Sequence, residues 1–450
     1  MTTRITLQQI QNYQNQFNDD PTNIVLQNVI SKNKFPDLAL NRTQANTNQH
    51  IFSNKTEPRV SVTNQKSTGR CWMFAGLNII RREIIKKYNL PTDFELSQSY
   101  LFFWDKLERI NYNLECIIDS SELNINDRLV NTILNDPLCD GGQWDMFVNL
   151  IKKYGVVPKS VYGESFHTSN SGGLEVLFKR KFREASLKLR KLVNEESGLN
   201  KAREFKEEFM QFTYNTLCKL FGTPITSNFV WEFVDKDDKY HRHTFDSPQQ
   251  FYSNNVDLDL DDFVCLINDP RSEHEYYKLY TVKYLGNIVG GKQVKYLNVP
   301  VQDMKNATLQ SLNGNDAVWF GCDVGKELCD NLMSINVKQY DNLLNTTFSM
   351  TKEDRLNTTE SAMTHAMVFS GYNTYETNGE QVVDRWEVEN SWGKKGNNNG
   401  YYTMTDEWFD EYMYEVVVHK KYVNKEINDA YNQTEITELP LWDPMGALAF

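Results

Sequence analysis

The apolar positions of this chain follow a helical spacing through its first half and a strand-like pattern through much of its second. Ile5, Leu7, Ile10, Tyr13 and Phe17, then Ile24, Leu26, Val29 and Ile30, suit two short amphipathic helices ahead of a polar, Asn-rich stretch, which predicts an N-terminal arm packed on the main fold. "CWMFAGLNIIRREIIKKY", beginning at Cys71, is apolar over its first three turns and basic over its last. It predicts a helix that enters a core with its positive charges at the C-terminal end of the dipole. "ELSQSYLFFWDKLERIN" and "GGQWDMFVNLIKKYG" predict two more helices, the second started by glycines and stopped by Gly155. Residues 174–222 read as a helical hairpin hinged near Gly198. After about residue 223 come short β-branched and aromatic runs, "NFVWEFVD", "DFVCLIND", "YYKLYTVKYL" and "KQVKYLNV", separated by Gly, Asn and Pro turns. Helix-rich first and strand-rich second, with no repeat, predicts an α+β protein rather than a doubly wound one.

Composition narrows this picture. With 450 residues, 40% hydrophobic and 13% aromatic, the chain has material for a large packed core, as two or three units or one fold with large insertions. No apolar run approaches the roughly 18–20 residues of a membrane span, and the first residues lack the basic and apolar regions of a secretory signal, so the expected compartment is the cytoplasm with no membrane partner. Seven cysteines without a CxxC pair are expected to be reduced, buried thiols. The net charge of −12 disfavours nucleic acid. One segment, "FKRKFREASLKLRKL", is locally basic and reads as a solvated helix face. His241 and His243 read as surface polar residues rather than metal ligands, and "DLDLDDFVCLIND" has Asp262 where a calcium loop needs glycine, so no metal and no cofactor are expected.

The densest chemical signal is "NQKSTGRCWMFAG". A cysteine in the first turn of a helix meets free backbone N–H groups and the positive end of the dipole, which favour the nucleophilic thiolate. Gln65, six residues before Cys71, can present its amide N–H to an oxyanion forming beside the sulfur, with Gly69 permitting the turn between them. A lone cysteine there is more often a small buried hydrophobe. A nucleophile also needs a histidine to carry its proton and a polar group to orient the ring. His365 in "SAMTHAMVFSGY" and Asn390 in "RWEVENSWGKKGNNNGYY" supply both. The Asn390 carbonyl would accept from one ring nitrogen, the other would face Cys71, and Trp392 would shield the bond from water.

"QKSTGRCW", "THAMVFSGY" and "ENSWGKKGNNNGYY" resemble the cysteine, histidine and asparagine blocks of papain-like peptidases in their chain order, and "CDGGQWDMFVNLIKKYG" resembles the glycine segment of their substrate cleft. The long interval between Cys71 and His365, with "FGCDVGK", "SMTKEDRL" and the tail "LPLWDPMGALA", narrows the resemblance to the bleomycin hydrolase and aminopeptidase C family. It implies a two-lobed papain-like core with large helical and β-rich insertions, assembled as a homohexamer around an internal cavity. Cys71 becomes the nucleophile, His365 the acid and base, Asn390 the orienting group and Gln65 the oxyanion donor. Gly141, Gly142, Trp392, Ala449 and Phe450 become substrate-binding positions. Thr364 stands where many relatives have an acidic residue or asparagine before the histidine.

The implied organisation is an N-terminal arm over 1–63, a helical lobe with the nucleophile over 64–173, a helical insertion over 174–222 and a strand-rich insertion over 223–298. A β lobe with His365 and Asn390 covers 299–430, and a C-terminal arm over 431–450 enters the active-site cleft. In this resemblance the tail is an extended arm, stiffened by Pro440 and Pro444, with Leu441, Trp442, Met445 and Leu448 along the cleft wall. Its terminal carboxylate, on Ala449 or Phe450, would meet the free amino group of a peptide. The expected activity is cysteine aminopeptidase. A cysteine endopeptidase with a mobile or shortened arm, and a nucleic-acid-binding hexameric scaffold, are the rival readings.

Overall fold

The structure, a computed structural model, describes every residue except 1–3, 48, 196–197, 397 and 450. Its centre is the helix Cys71–Tyr88. Trp72, Met73, Phe74, Leu77, Ile80 and Ile84 are all buried, so this helix is apolar nearly all round, as a helix enclosed by other elements must be. Lys86 and Lys87 occupy its last turn, and Asn89, with φ 51°, ends it in the left-handed conformation. Arg81 and Arg82 are buried too, and reach the two oxygens of Glu389 at 2.8 and 2.7 Å. Burial of three charges is tolerable only because they pair, and removing one partner of such a cluster costs about 3–5 kcal/mol.

Around this helix pack Gln98–Asp119, capped by the Ser97 hydroxyl on the Tyr100 N–H at 3.0 Å, and Trp144–Tyr154, which stops at Gly155 (φ 67°). The hairpin Gly172–Val193 and Gly198–Phe221 covers their far side and shares their core. A second core lies within the sheet and against the helix Val301–Asn313. That helix escapes a reading of the second half as strand-rich because its buried face is mostly small and polar: Ala307, Thr308 and Ser311 beside Met304 and Leu312.

Among the described residues twelve strands form one sheet. Its middle runs Phe263–Ile267, Met413–His419, Val318–Cys322, His365–Thr377, Glu380–Glu389 and Tyr401–Thr405, every neighbour antiparallel. Met413–His419, late in sequence, is therefore inserted between two earlier strands. The strand Phe229–Val234 pairs only with Tyr240–Phe245, as a separate hairpin. The result is a mixed α+β fold. Among the described residues no helix is long and apolar enough to cross a membrane.

Two expectations change. The helices Leu7–Asp19 and Pro21–Ile30 form as their periodicity predicts, but neither has a buried residue, and Leu7, Tyr13 and Val25 stay exposed instead of packing on the main fold. The tail is not an extended arm throughout. Ile436–Leu439 pairs in parallel with Leu279–Val282, and after a turn Pro444–Ala449 winds into a 3-10 helix that an extended strand could not share. Met445 and Leu448 are buried in that turn, whereas Trp442 is 38% exposed and lies under the Arg128 guanidinium at 4.1 Å.

Candidate active site

Cys71 is the first residue of its helix, and the Ala366 N–H lies 3.4 Å from its sulfur. Ala366 follows His365, the first residue of a strand that pairs on one side with Val318–Cys322 and on the other with Glu380–Glu389. Asn390 comes immediately after the latter strand. The ring Nε2 of His365 donates to Asn390 Oδ1 at 2.9 Å, which leaves Nδ1 as the nitrogen free to meet the sulfur. The Trp392 ring lies 4.8 Å from the imidazole, centroid to centroid, tilted 36° to it. The Arg81 and Arg82 contacts to Glu389, one residue before Asn390, fasten the helix that begins at Cys71 to the strand that ends at Glu389.

Ser391 joins the two sides of the site. Its backbone carbonyl accepts from the Gln65 N–H at 2.8 Å, its hydroxyl donates to Gln65 Oε1 at 2.6 Å, and its own N–H donates to Asn390 Oδ1 at 2.7 Å. Gln65 Nε2 donates one proton to the Thr68 carbonyl at 2.6 Å and keeps a second for another acceptor. Gln65, Cys71, Gly141, His365, Trp392 and Leu448 together line one cleft of about 570 Å³.

Burial dominates the electrostatics. It pushes the Cys71 thiol up to about 11, against the lowering effect of N–H groups from Ala366, Trp72 and Cys71 itself. It pushes His365 down to about 4, against the bond to Asn390 that favours its charged form. The helix-start argument thus has the right sign and the smaller magnitude. Taken one at a time, both groups are neutral near pH 7.

Glycine is required on the floor of the cleft. A Cβ on Gly141 would sit 2.0 Å from the Leu448 carbonyl oxygen, and one on Gly142 would meet the Trp72 ring at 2.5 Å. Ala449 is buried, and its carbonyl accepts from the Cys139 thiol. Phe450 lies outside the described residues. The tail turn is clipped by Arg271, whose Nη2 reaches both oxygens of Asp443 at 2.9 and 3.0 Å and Asp269 at 2.7 Å. All seven cysteines are free thiols, Cys218 and Cys329 only partly buried.

His241 and His243 lie far along the sequence from these blocks, on the separate hairpin, where His241 bonds Asp235 at 2.8 Å and both rings stack near Phe233. The motifs did not point to Ser391 or Asp140, although each adjoins a motif residue: Ser391 follows Asn390, and Asp140 precedes Gly141.

The sequence profile of the Peptidase C1-like family matches residues 4–446. This chain belongs to that family. Within it, the chain is 42% identical over 440 residues to bleomycin hydrolase of Mus musculus, covering 96% of each. It is also 42% identical over 455 residues to aminopeptidase C of Listeria monocytogenes, covering 100% of each. Among solved structures, PepW from Lactobacillus rhamnosis superposes with a TM-score of 0.94 at 37% identity, over 99% of this chain and 100% of that one. Membership of the Peptidase C1-like family gives the chain its chemical class, that of a cysteine peptidase.

Proposed function

We propose that this chain is a cysteine aminopeptidase that removes N-terminal residues from peptides. The observation that carries the reading is the imidazole held by Asn390 at 2.9 Å at the head of a cleft that also contains Cys71 and is bordered by the tail at Leu448. Cys71 transfers its proton to His365 Nδ1, and the sulfur attacks the carbonyl carbon of the first peptide bond. Transfer within the pair places opposite charges side by side, and their attraction offsets the desolvation that keeps each group neutral alone. The second Nε2 proton of Gln65 and the N–H at the start of the helix stabilise the resulting oxyanion. His365 then protonates the departing amine, leaving a thioester on Cys71. Water, deprotonated by the same imidazole, hydrolyses it and frees the thiol.

The tail is the proposed limit on substrate length. Leu448 lies over Gly141, so a peptide extending beyond the residue next to the scissile bond would have to displace it. A terminal carboxylate on this arm would pair with the free α-amino group of the substrate. The relatives named bleomycin hydrolase and aminopeptidase C support this reading of the activity, including amide hydrolysis of bleomycin-like compounds. The exposed Leu7, Tyr13 and Val25 on the first two helices support self-assembly, for which the homohexamer is the proposed form, in the cytoplasm.

Fluorogenic substrates with free and with blocked amino groups, tested on full-length protein, Cys71→Ser and a variant lacking residues 440–450, decide the matter. Turnover of free-amino substrates by the full-length chain, abolished in Cys71→Ser, is expected. Deletion of the tail should raise cleavage of blocked peptides and weaken cleavage of free ones. Activity retained in Cys71→Ser overturns the nucleophile; equal use of both substrates by the full-length chain favours an endopeptidase.

A further inference from the structure

Four consecutive carbonyls lead into the glycine segment, and each accepts a hydrogen bond from a buried side chain. The Lys106 ammonium donates to Leu138 O and, at 3.0 Å, to Cys139 O. Trp72 Nε1 donates to Asp140 O at 2.7 Å, and Arg109 Nη2 to Gly141 O at 2.7 Å. The same ammonium lies 2.6 Å from Asp140 Oδ1 as an ion pair, so oxygens of three successive residues surround it. The other Asp140 oxygen accepts from the Gly69 N–H at 3.0 Å and from the Ser171 hydroxyl. Asp140 is therefore shared between the glycine segment, to which it belongs, and the loop that delivers Cys71 two residues later. Nearby Cys139 is a free thiol, so no disulfide joins these two loops.

We propose that the buried Lys106–Asp140 pair is a noncovalent clasp that sets the distance between the nucleophile and the substrate-holding glycine segment, with Lys106 as a positioning residue. Lys106 is buried in the helix Gln98–Asp119 and lies outside the cleft lining, so it acts only through the groups it holds. A single ammonium that binds three acceptors in successive residues fixes the orientation of the segment, whereas one hydrogen bond would fix only a point. The Asp140 carboxylate is stabilised strongly in its charged form by this ammonium, which brings it down to about 2 despite burial. The carboxylate of the pair therefore remains charged at neutral pH.

This inference rests on Cys71 being the nucleophile, and the test separates the two ideas. Lys106→Met removes the ammonium, and the Lys106→Met/Asp140→Asn double variant removes both charges without leaving a buried carboxylate unpaired. Two rates are read: kcat and KM on a free-amino aminoacyl reporter, and alkylation of Cys71 by iodoacetamide, which is small and does not engage the glycine segment. Complete alkylation of wild type must abolish turnover; if it does not, the nucleophile assignment fails, whatever the clasp does. Misplacement of reacting groups by about an ångström costs on the order of 10²-fold. Lys106→Met should lower kcat/KM roughly 30-fold or more through a raised KM, while the alkylation rate changes less than about threefold. The clasp is refuted if a folded Lys106→Met keeps kcat/KM within about threefold of wild type, or if alkylation and turnover fall together. Should Lys106→Met fail to fold, the double variant decides: a raised KM supports the clasp and wild-type kinetics refute it.

Discussion

Glu415 lies in the middle of the inserted strand Met413–His419, fully buried, and among the described residues no cation pairs with it. Its titratable surroundings include Asp145, Cys265, Tyr296 and Tyr431. Burial, reinforced by the charge of Asp145, raises its carboxyl from 4.5 to about 8. In the folded chain Glu415 is thus protonated at neutral pH, whereas in the unfolded chain it ionises near 4.5. Between these values the folded state binds more protons, so stability is fully present below the unfolded value and is lost as pH rises through the folded one. From pH 5 to pH 8 the loss is about 3–4 kcal/mol, at 1.36 kcal/mol per unit less the incomplete titration at each end. Glu415→Gln keeps the shape and cannot titrate. At an unfolding entropy of about 2.1 cal/mol/K per residue, the melting temperature of the variant relative to wild type should be roughly 3–4 °C higher at pH 8 than at pH 5. Differential scanning fluorimetry at one scan rate, on both proteins in both buffers, measures that difference. The same offset at both pH values would refute the account, because any packing defect of glutamine is independent of pH.

Gln65→Ala should lower kcat about 10²-fold with little change in KM, since its free N–H acts only on the oxyanion; a matching rise in KM would point instead to substrate binding. Gly141→Ala cannot coexist with Leu448 in its present place, so it should displace the tail and increase cleavage of amino-blocked peptides, as measured beside the tail-deleted protein. Asp443→Ala removes both contacts to Arg271 and should loosen the same turn, detected as faster limited proteolysis between Leu439 and Ala449. Unchanged proteolysis would show that the apolar contacts of Met445 and Leu448 hold the tail unaided.

The helix at Cys71 was legible because an apolar first part and terminal lysines agree within one stretch of chain. The adjacent motif residues around Gln65, His365 and Asn390 were equally legible, since short motifs carry their spacing with them. Contacts between distant charged residues were not. Lys106, Asp140, Arg81, Arg82 and Glu389 look in sequence like ordinary surface charges, and only the fold buries and pairs them. The tail misled for a related reason. Two prolines suggest extension, but the close approach of Gly446 to Val282 and Leu285 and the burial of Met445 favour a tight turn. For Cys71, the helix start was visible in the sequence, while the desolvation that outweighs it depends on walls contributed by residues hundreds of positions away.

Strand order bears on when a chain of this kind can act during its synthesis. The central sheet is completed only when Met413–His419 enters the gap between Phe263–Ile267 and Val318–Cys322. A ribosome that has made the helix at Cys71, and even His365 and Asn390, still holds a sheet with a central strand missing. A chain folding from the N-terminus therefore completes this sheet only after His419 has been made. A product truncated before Met413 would carry Cys71, His365 and Asn390 without the strand that joins Phe263–Ile267 to Val318–Cys322.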